Sequence, residues 1–214
     1  MNDIVIVGAG GLGKEVTWLI ENINAVKPTW NILGFIEDES KSNLFGKKLN
    51  DYEIIGGNSW LMNRKHETYI TCAIGNGKIR NTLYKFFSKN VHIKFATLVD
   101  PSVRIDKTVE IGRGTTIAKN CSITVNTNIG DGVLLNIGSL VGHDTEIMDY
   151  TTLSPHAIVA GECTIGKFCE IGSGAFIIQG CKVANNSKIG PLSSVLKDIT
   201  EEGIFIGNPA RRIK

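Results

Sequence analysis

The sequence has no run approaching 18 continuous apolar residues, which excludes a membrane-spanning helix. Its first residues, MNDIVIVGAGG, show no basic segment leading into a long apolar stretch. No secretory leader is therefore expected there, and the protein is expected in the cytoplasm. The net charge is only +2, which gives no electrostatic case for nucleic acid or an anionic membrane as partner. The five cysteines, Cys72, Cys121, Cys163, Cys169 and Cys181, are odd in number and form no CxxC. That argues against a disulfide framework or a zinc knuckle. Histidine is scarce as well: beyond residue 93 there are only His143 and His156, too few for a three-histidine zinc site, so no metal is expected.

What the chain does have is glycine and a short period. From Val99 to Val195 every sixth residue is aliphatic, without one slip, and a fixed short period marks a solenoid. Four residues after each aliphatic stands a small or β-branched residue, such as Val103, Thr115, Ala157 or Ser187. Four of the five cysteines fall in this column, so they read as buried small side chains rather than nucleophiles. Three residues after each aliphatic the column is rich in Gly and Asn, which tolerate a left-handed backbone at a corner. Each six-residue unit is thus a short strand plus a turn. Three units close one triangular coil, and coils stack at about 4.8 Å. The expected fold of residues 93–214 is a left-handed parallel β-helix of hexapeptide repeats, with five to six coils.

Residues 1–92 carry a different pattern. DIVIVG, NILGFIED and TYITCAIG read as strands, and GLGKEVTWLIENI, GNSWLMNRKH and GKIRNTLYKFFSKN as helices. Strand and helix alternate, which predicts a small α/β, Rossmann-like domain with helices on both faces of a parallel sheet. Gly8, Gly10 and Gly13 form GxGxxG between the first strand and helix, where amides and a helix N-terminus hold phosphate. Glu37, Asp38 and Glu39 follow the second strand, where a ribose or base contact is expected. Only about 90 residues precede the β-helix, half of a double nucleotide fold. A nucleotide-containing ligand other than NAD therefore fits better than a dehydrogenase. The structural alternative is that these glycines serve only tight packing of strand on helix.

In the β-helix, VGHDTEIMDY carries a histidine that folding does not require. His143 stands two residues after the inward Val141, so it lies in a turn and points outward. Asp144 could accept from one ring nitrogen and leave the other as a base. Gly161 lies three hexapeptide units onward, one coil above, where its bare amide could stabilise an oxyanion. Asp149 reads as an outward turn residue without a role. The frame contains no insertion that could enclose a substrate, so a closed site must draw on a neighbouring subunit.

Together VGAGGLGKEV, GFIEDES, AIGNGKIR, GHDTEIMDYTTLSPHAIVAGECTIG and the ending GIFIGNPARRIK resemble bacterial sugar acetyltransferases of the sialic-acid-O-acetyltransferase type. The N-acetyltransferases of nucleotide-linked 4-amino sugars belong to that group, and the similarity spans essentially the whole chain. The resemblance implies a homotrimer with sites between subunits, acetyl-CoA as co-substrate in the groove between adjacent β-helices, and a nucleotide-sugar in the N-terminal domain. It implies His143 as general base with Asp144 raising its basicity. It places the nucleotide-sugar at Gly10, Gly11, Leu12, Glu37, Asp38 and Gly75, and acetyl-CoA at Thr152, Gly161 and Ser173. Two positions depart from the family pattern: Leu12 stands where GHG is common, and Thr152 where many members carry a second histidine.

Acetyl transfer to an amino group of a nucleotide-activated sugar is the leading expectation, with Lys197, Arg211 and Arg212 as candidates for the coenzyme's phosphates. Acetylation of a sialic acid or other sugar hydroxyl would use the same base. Two readings of other classes are a non-catalytic, nucleotide-sugar-binding trimer and a small NAD-binding protein.

Overall fold

The apolar run at the N-terminus forms the centre of a sheet because it is flanked on both sides by strands of the same kind. The computed structural model describes residues 1–214. Strand β1 (Asn2–Val7) pairs in parallel with β2 (Trp30–Ile36) on one side and β5 (Thr68–Cys72) on the other. A short hairpin of β3 (Lys48–Leu49) and β4 (Tyr52–Gly56) extends the sheet beyond β2, and β6 (Ile93–Phe95) extends it beyond β5. The alternation of side chains along β1 feeds two cores. Ile4 and Ile6 pack with Val16, Leu19 and Ile20 of helix α1 (Gly11–Val26), while Val5 and Val7 pack with Leu61, Tyr84 and Phe87. The last three belong to α2 (Asn58–Met62) and α3 (Gly77–Phe87), so helices cover both faces, as the pattern predicts. The hairpin has no counterpart in the sequence pattern.

The solenoid follows the six-residue frame. Its strands pair in parallel with partners one coil apart, Ile129 with Ile147 and Leu135 with Leu153, building three sheets of a left-handed β-helix. The inward aliphatics from Ile117 to Val195 are all buried, each stabilising the fold by about 1.5–3 kcal/mol. The corner column is left-handed at every coil from Gly114 to Leu192. Where glycine or asparagine is missing, Asp144, Tyr150, His156, Glu162, Phe168 and Leu192 adopt it at positive φ.

Three details refine these expectations. Ile93–Phe95, which a division at 92 assigns to the β-helix, hydrogen-bonds to β5 as the edge strand of the N-terminal sheet. Ile105 keeps the six-residue frame but is 37% exposed and forms no strand; the strand at Ser122–Ile123 is the first of its sheet. Asp149 does have a role. Its Oδ1 accepts from the Asp131 amide (3.0 Å) and its Oδ2 from Lys167 Nζ (2.7 Å). With Asp131 taking the Arg113 amide and Asn185 the Lys167 amide, side chains cap three turn amides of the coils beneath along that edge.

Candidate active site

The β-helix is a prism, and its edges decide which side chains can meet. His143 and Gly161 lie on the edge that joins the sheet containing Leu140–Val141 to the sheet containing Glu146–Ile147. His143 Nδ1 is 2.7 Å from Asp144 Oδ2, and Asp144 Oδ1 accepts from Asn126 Nδ2 at 3.0 Å. The carboxylate is thus held between the ring above and the amide below. These two hydrogen bonds, first from His143 and then from Asn126, keep the Asp144 carboxyl below its ordinary range. With Nδ1–H donated to this carboxylate, the free ring lone pair is on Nε2.

The fold also accounts for Asp144. It occupies the left-handed corner position at φ 55°, which aspartate tolerates better than most residues. That backbone swings its side chain back onto its neighbour's ring. Asn126 does not stand out in the sequence; its one signal there is a place one coil before Asp144 in the same column.

Nε2 faces the next coil. A Cβ built on Gly161 would stand 2.6 Å from His143 Nε2, so glycine alone leaves room for the ring. Gly161 is buried, and its N–H, unlike the amides of Arg113, Asp131 and Lys167, has no acceptor within the chain. Gln179, one coil higher, donates to Glu162 Oε1 instead of offering a cap. A buried amide without an acceptor is rare in a folded chain, and here it lies beside a free imidazole nitrogen. This is the geometry of a base next to an oxyanion donor.

One further coil above Gln179 the same edge reaches Lys197. Lys197, Arg211 and Arg212 line one cleft of about 440 Å³, closed by the C-terminal hairpin. Three stacked coils separate Lys197 from His143, roughly 14 Å at the inter-strand spacing.

Not every expected residue joins this edge. Ser173 is exposed, on the edge between the Thr152–Leu153 sheet and the Ile158–Val159 sheet, so a single chain does not bring it to His143. Thr152 is buried under the N-terminal domain. Its Oγ1 donates to the Gly75 carbonyl (2.8 Å) and accepts from Arg80 (3.0 Å). Both hydrogen bonds lie inside the domain seam, away from the His143 edge.

In the N-terminal domain the glycines divide. A Cβ on Gly13 would stand 2.4 Å from the Gly8 carbonyl, and Gly8 has φ +105°, so these two serve the strand-to-helix turn. Gly10, Gly11 and Gly75 have open space at the Cβ position. Gly10, Glu37, Asp38 and Ile74 line a cleft of about 520 Å³ at the carboxyl ends of β1, β2 and β5. Chain order reverses at β1, the place where open α/β sheets take ligands.

Leu12 is not in this cleft. It points to the other side of α1, against the core and the crevice facing Asn136 and Ile137 of the β-helix. Glu37 accepts from the Ala9 amide (3.0 Å) and pairs with Lys41, closing the glycine loop. Glu39 caps α2 through the Ser59 amide (2.7 Å) and is structural.

All five cysteines are free and buried. Burial pushes the Cys72 thiol up to about 12 and those of Cys169 and Cys181 to about 11, so none supplies a thiolate near neutral pH.

Residues 3–87 match the family model of the PglD N-terminal domain. Over its whole length the chain is 35% identical to the GDP-perosamine N-acetyltransferase of Escherichia coli O157:H7, covering 97% of that protein. It superposes on the acetyltransferase domain of PglB from Neisseria gonorrhoeae FA1090 in complex with acetyl coenzyme A. The TM-score is 0.89, with 25% identity and 100% of both chains covered. It has the same fold as PerB from Caulobacter crescentus in complex with CoA and GDP-perosamine, with a TM-score of 0.88, 23% identity, and 100% and 98% of the chains covered. A nucleotide-type cleft on a hexapeptide β-helix, together with full-length identity at this level, places the chain in the family of bacterial nucleotide-amino-sugar acetyltransferases.

Proposed function

We propose that this protein transfers the acetyl group of acetyl-CoA to the amino group of a nucleotide-linked amino sugar, with His143 as general base. The observation that carries the reading is His143 Nε2, free of protein partners, beside the buried and unpaired N–H of Gly161. The amine attacks the thioester carbonyl, and Nε2 takes the proton it sheds. Gly161 N–H receives the developing oxyanion. As the C–N bond forms and the C–S bond breaks, the imidazolium returns its proton to the departing thiolate. Asp144 fixes the tautomer and balances the imidazolium charge.

The coenzyme lies along the His143–Lys197 edge, its phosphates toward Lys197, Arg211 and Arg212. The nucleotide-sugar occupies the cleft at Gly10, Glu37 and Asp38, with Gly11 and Gly75, which have open space at the Cβ position, as further contacts. Because Gly161 and Ser173 sit on different edges of the prism, a groove using both needs two copies of the chain. A homotrimer with sites between subunits supplies it. No helix is long and apolar enough to cross a membrane, and a cytoplasmic enzyme would meet both substrates. The N-acetyl reading ranks above acetylation of a hydroxyl because the relative at 35% identity is an N-acetyltransferase.

The test is an acetyl-transfer assay with GDP-, UDP-, CMP- and dTDP-linked amino sugars, paired with thermal unfolding. A substrate at 100 times its Kd adds about 2.7 kcal/mol of stability. One nucleotide-sugar is expected to stand out in both measurements. Stabilisation by such sugars without any by acetyl-CoA, and no turnover, would make the protein a binding scaffold.

The pH dependence follows from the Asp144–His143 pair. A carboxyl held below its ordinary range stays ionised until the pH falls beneath that lowered value. Across about pH 5 to 8 Asp144 therefore stays ionised as the partner of His143. Asp144→Asn should lower kcat, because the imidazole loses the partner that fixes its tautomer. A kcat unchanged in Asp144→Asn would count against the pairing.

A further inference from the structure

Arg80 on α3 is 2% exposed and has no carboxylate within ion-pair reach. All its donors go to neutral oxygens drawn from both domains. Nη1 donates to the Ile74 and Gly75 carbonyls (2.8 Å each), in the loop after β5. Nε donates to the Gly132 carbonyl (2.9 Å), and Nη2 to the Tyr150 and Thr151 carbonyls and Thr152 Oγ1 (3.0–3.2 Å), in the β-helix. Burying a cation without a counter-ion is costly, so a residue whose only service was adhesion would be better replaced by an apolar one. What Arg80 joins explains its presence. Ile74 lines the nucleotide cleft, and Gly75 is clamped by both Arg80 and Thr152.

The same seam carries two further devices. Asn76 caps α3 through the Ile79 amide and donates to Glu170 of the β-helix. Gly77 lies so close to the Tyr150 carbonyl that a Cβ there would stand 1.8 Å from it. The segment GNGKIR, which in the sequence carries only part of a resemblance, is the joint between the two domains.

We infer that Arg80 is a positioning residue for the transfer: by tying the cleft wall at Ile74–Gly75 to Thr152 and its neighbours, it sets the position of a cleft-bound amino sugar relative to the His143 edge. Arg80 touches neither His143 nor the cleft interior, so it acts through the joint. In a trimer the same joint fixes each cleft relative to every His143. The inference rests on the proposed acetyl transfer. It adds that the nucleotide helps catalysis only while this joint is intact, since a reacting atom misplaced by about 1 Å can cost about 10²-fold.

The experiment compares two acceptors, the nucleotide-linked amino sugar that the wild-type protein acetylates and the same sugar without its nucleotide. In Arg80→Lys, which keeps the charge but cannot reach both sides, kcat for the nucleotide-linked acceptor should fall by about 10²-fold. Transfer to the free sugar, and the Kd values for acetyl-CoA and for the nucleotide diphosphate, should stay within threefold. Thr152→Val serves if Arg80→Lys does not fold. It should lower the same ratio of acceptors by about tenfold, and Thr152→Ser should restore it. A ratio of acceptors unchanged in a folded variant, or an equal loss for both acceptors, would overturn the inference. A wild-type protein that acetylates no amino sugar would overturn the proposed function itself, and the positioning role with it.

Discussion

His143→Asn is expected to lower kcat by about 10²- to 10⁴-fold, the contribution of a positioned general base. Stability should barely change. The ring is 47% exposed at a corner, and its only hydrogen bond runs to an exposed carboxylate, a kind of contact that contributes little to folding. The coenzyme's Kd should also hold, because the cationic cleft lies three coils away. The measurement is steady-state kinetics beside a thermal melt and a coenzyme titration. Near-normal turnover in a folded His143→Asn would remove the base from this edge of the β-helix. A collapse in Tm would instead recast His143 as a structural residue, in conflict with its exposure.

Gly161→Ala is the second large effect, expected at about 10²-fold on kcat/KM. Its logic differs from that of most glycines in this chain. Gly161 does not have positive φ, so its backbone accepts alanine without strain. The single obstacle is the ring: the new Cβ would lie 2.6, 2.7 and 2.9 Å from Nε2, Cε1 and Cδ2 of His143. The ring is the free end of an exposed side chain, so it can rotate away, breaking its contact with Asp144 at small cost to the fold. Activity should therefore fall while Tm moves little. In Gly132, at φ +60° with a Cβ position 2.6 Å from the Tyr150 ring, the same substitution should lower Tm. An active Gly161→Ala would mean that the ring and this amide do not work as a unit.

The unbroken period of six determined the β-helix, because a solenoid of this width has room for one aliphatic and one small side chain per six-residue unit at a fixed spacing. The same arithmetic put Gly161 one coil above His143, since successive coils of three equal units stack atom over atom. The N-terminal strands and helices were readable for a similar reason: their patterns are local, and each strand is apolar because both its faces are covered. Ile105 marks the limit of that reading, for the frame says which side chain points inward and not how far it is buried.

Tertiary structure decided what lay between distant segments. The family resemblance places Thr152 against acetyl-CoA. Its hydroxyl is consumed by Gly75, 77 residues away, and by Arg80, 72 residues away. Arg80 carries no local signal, since its neighbours in α3 give no hint that the helix face meets a β-helix edge. Asp144 needed both levels: its type suits the left-handed corner, and only the stacking of Asn126 beneath it shows how the carboxylate is held toward His143. Periodicity reports burial along one chain direction, whereas hydrogen bonds across a domain seam depend on two surfaces whose relative placement no local pattern encodes.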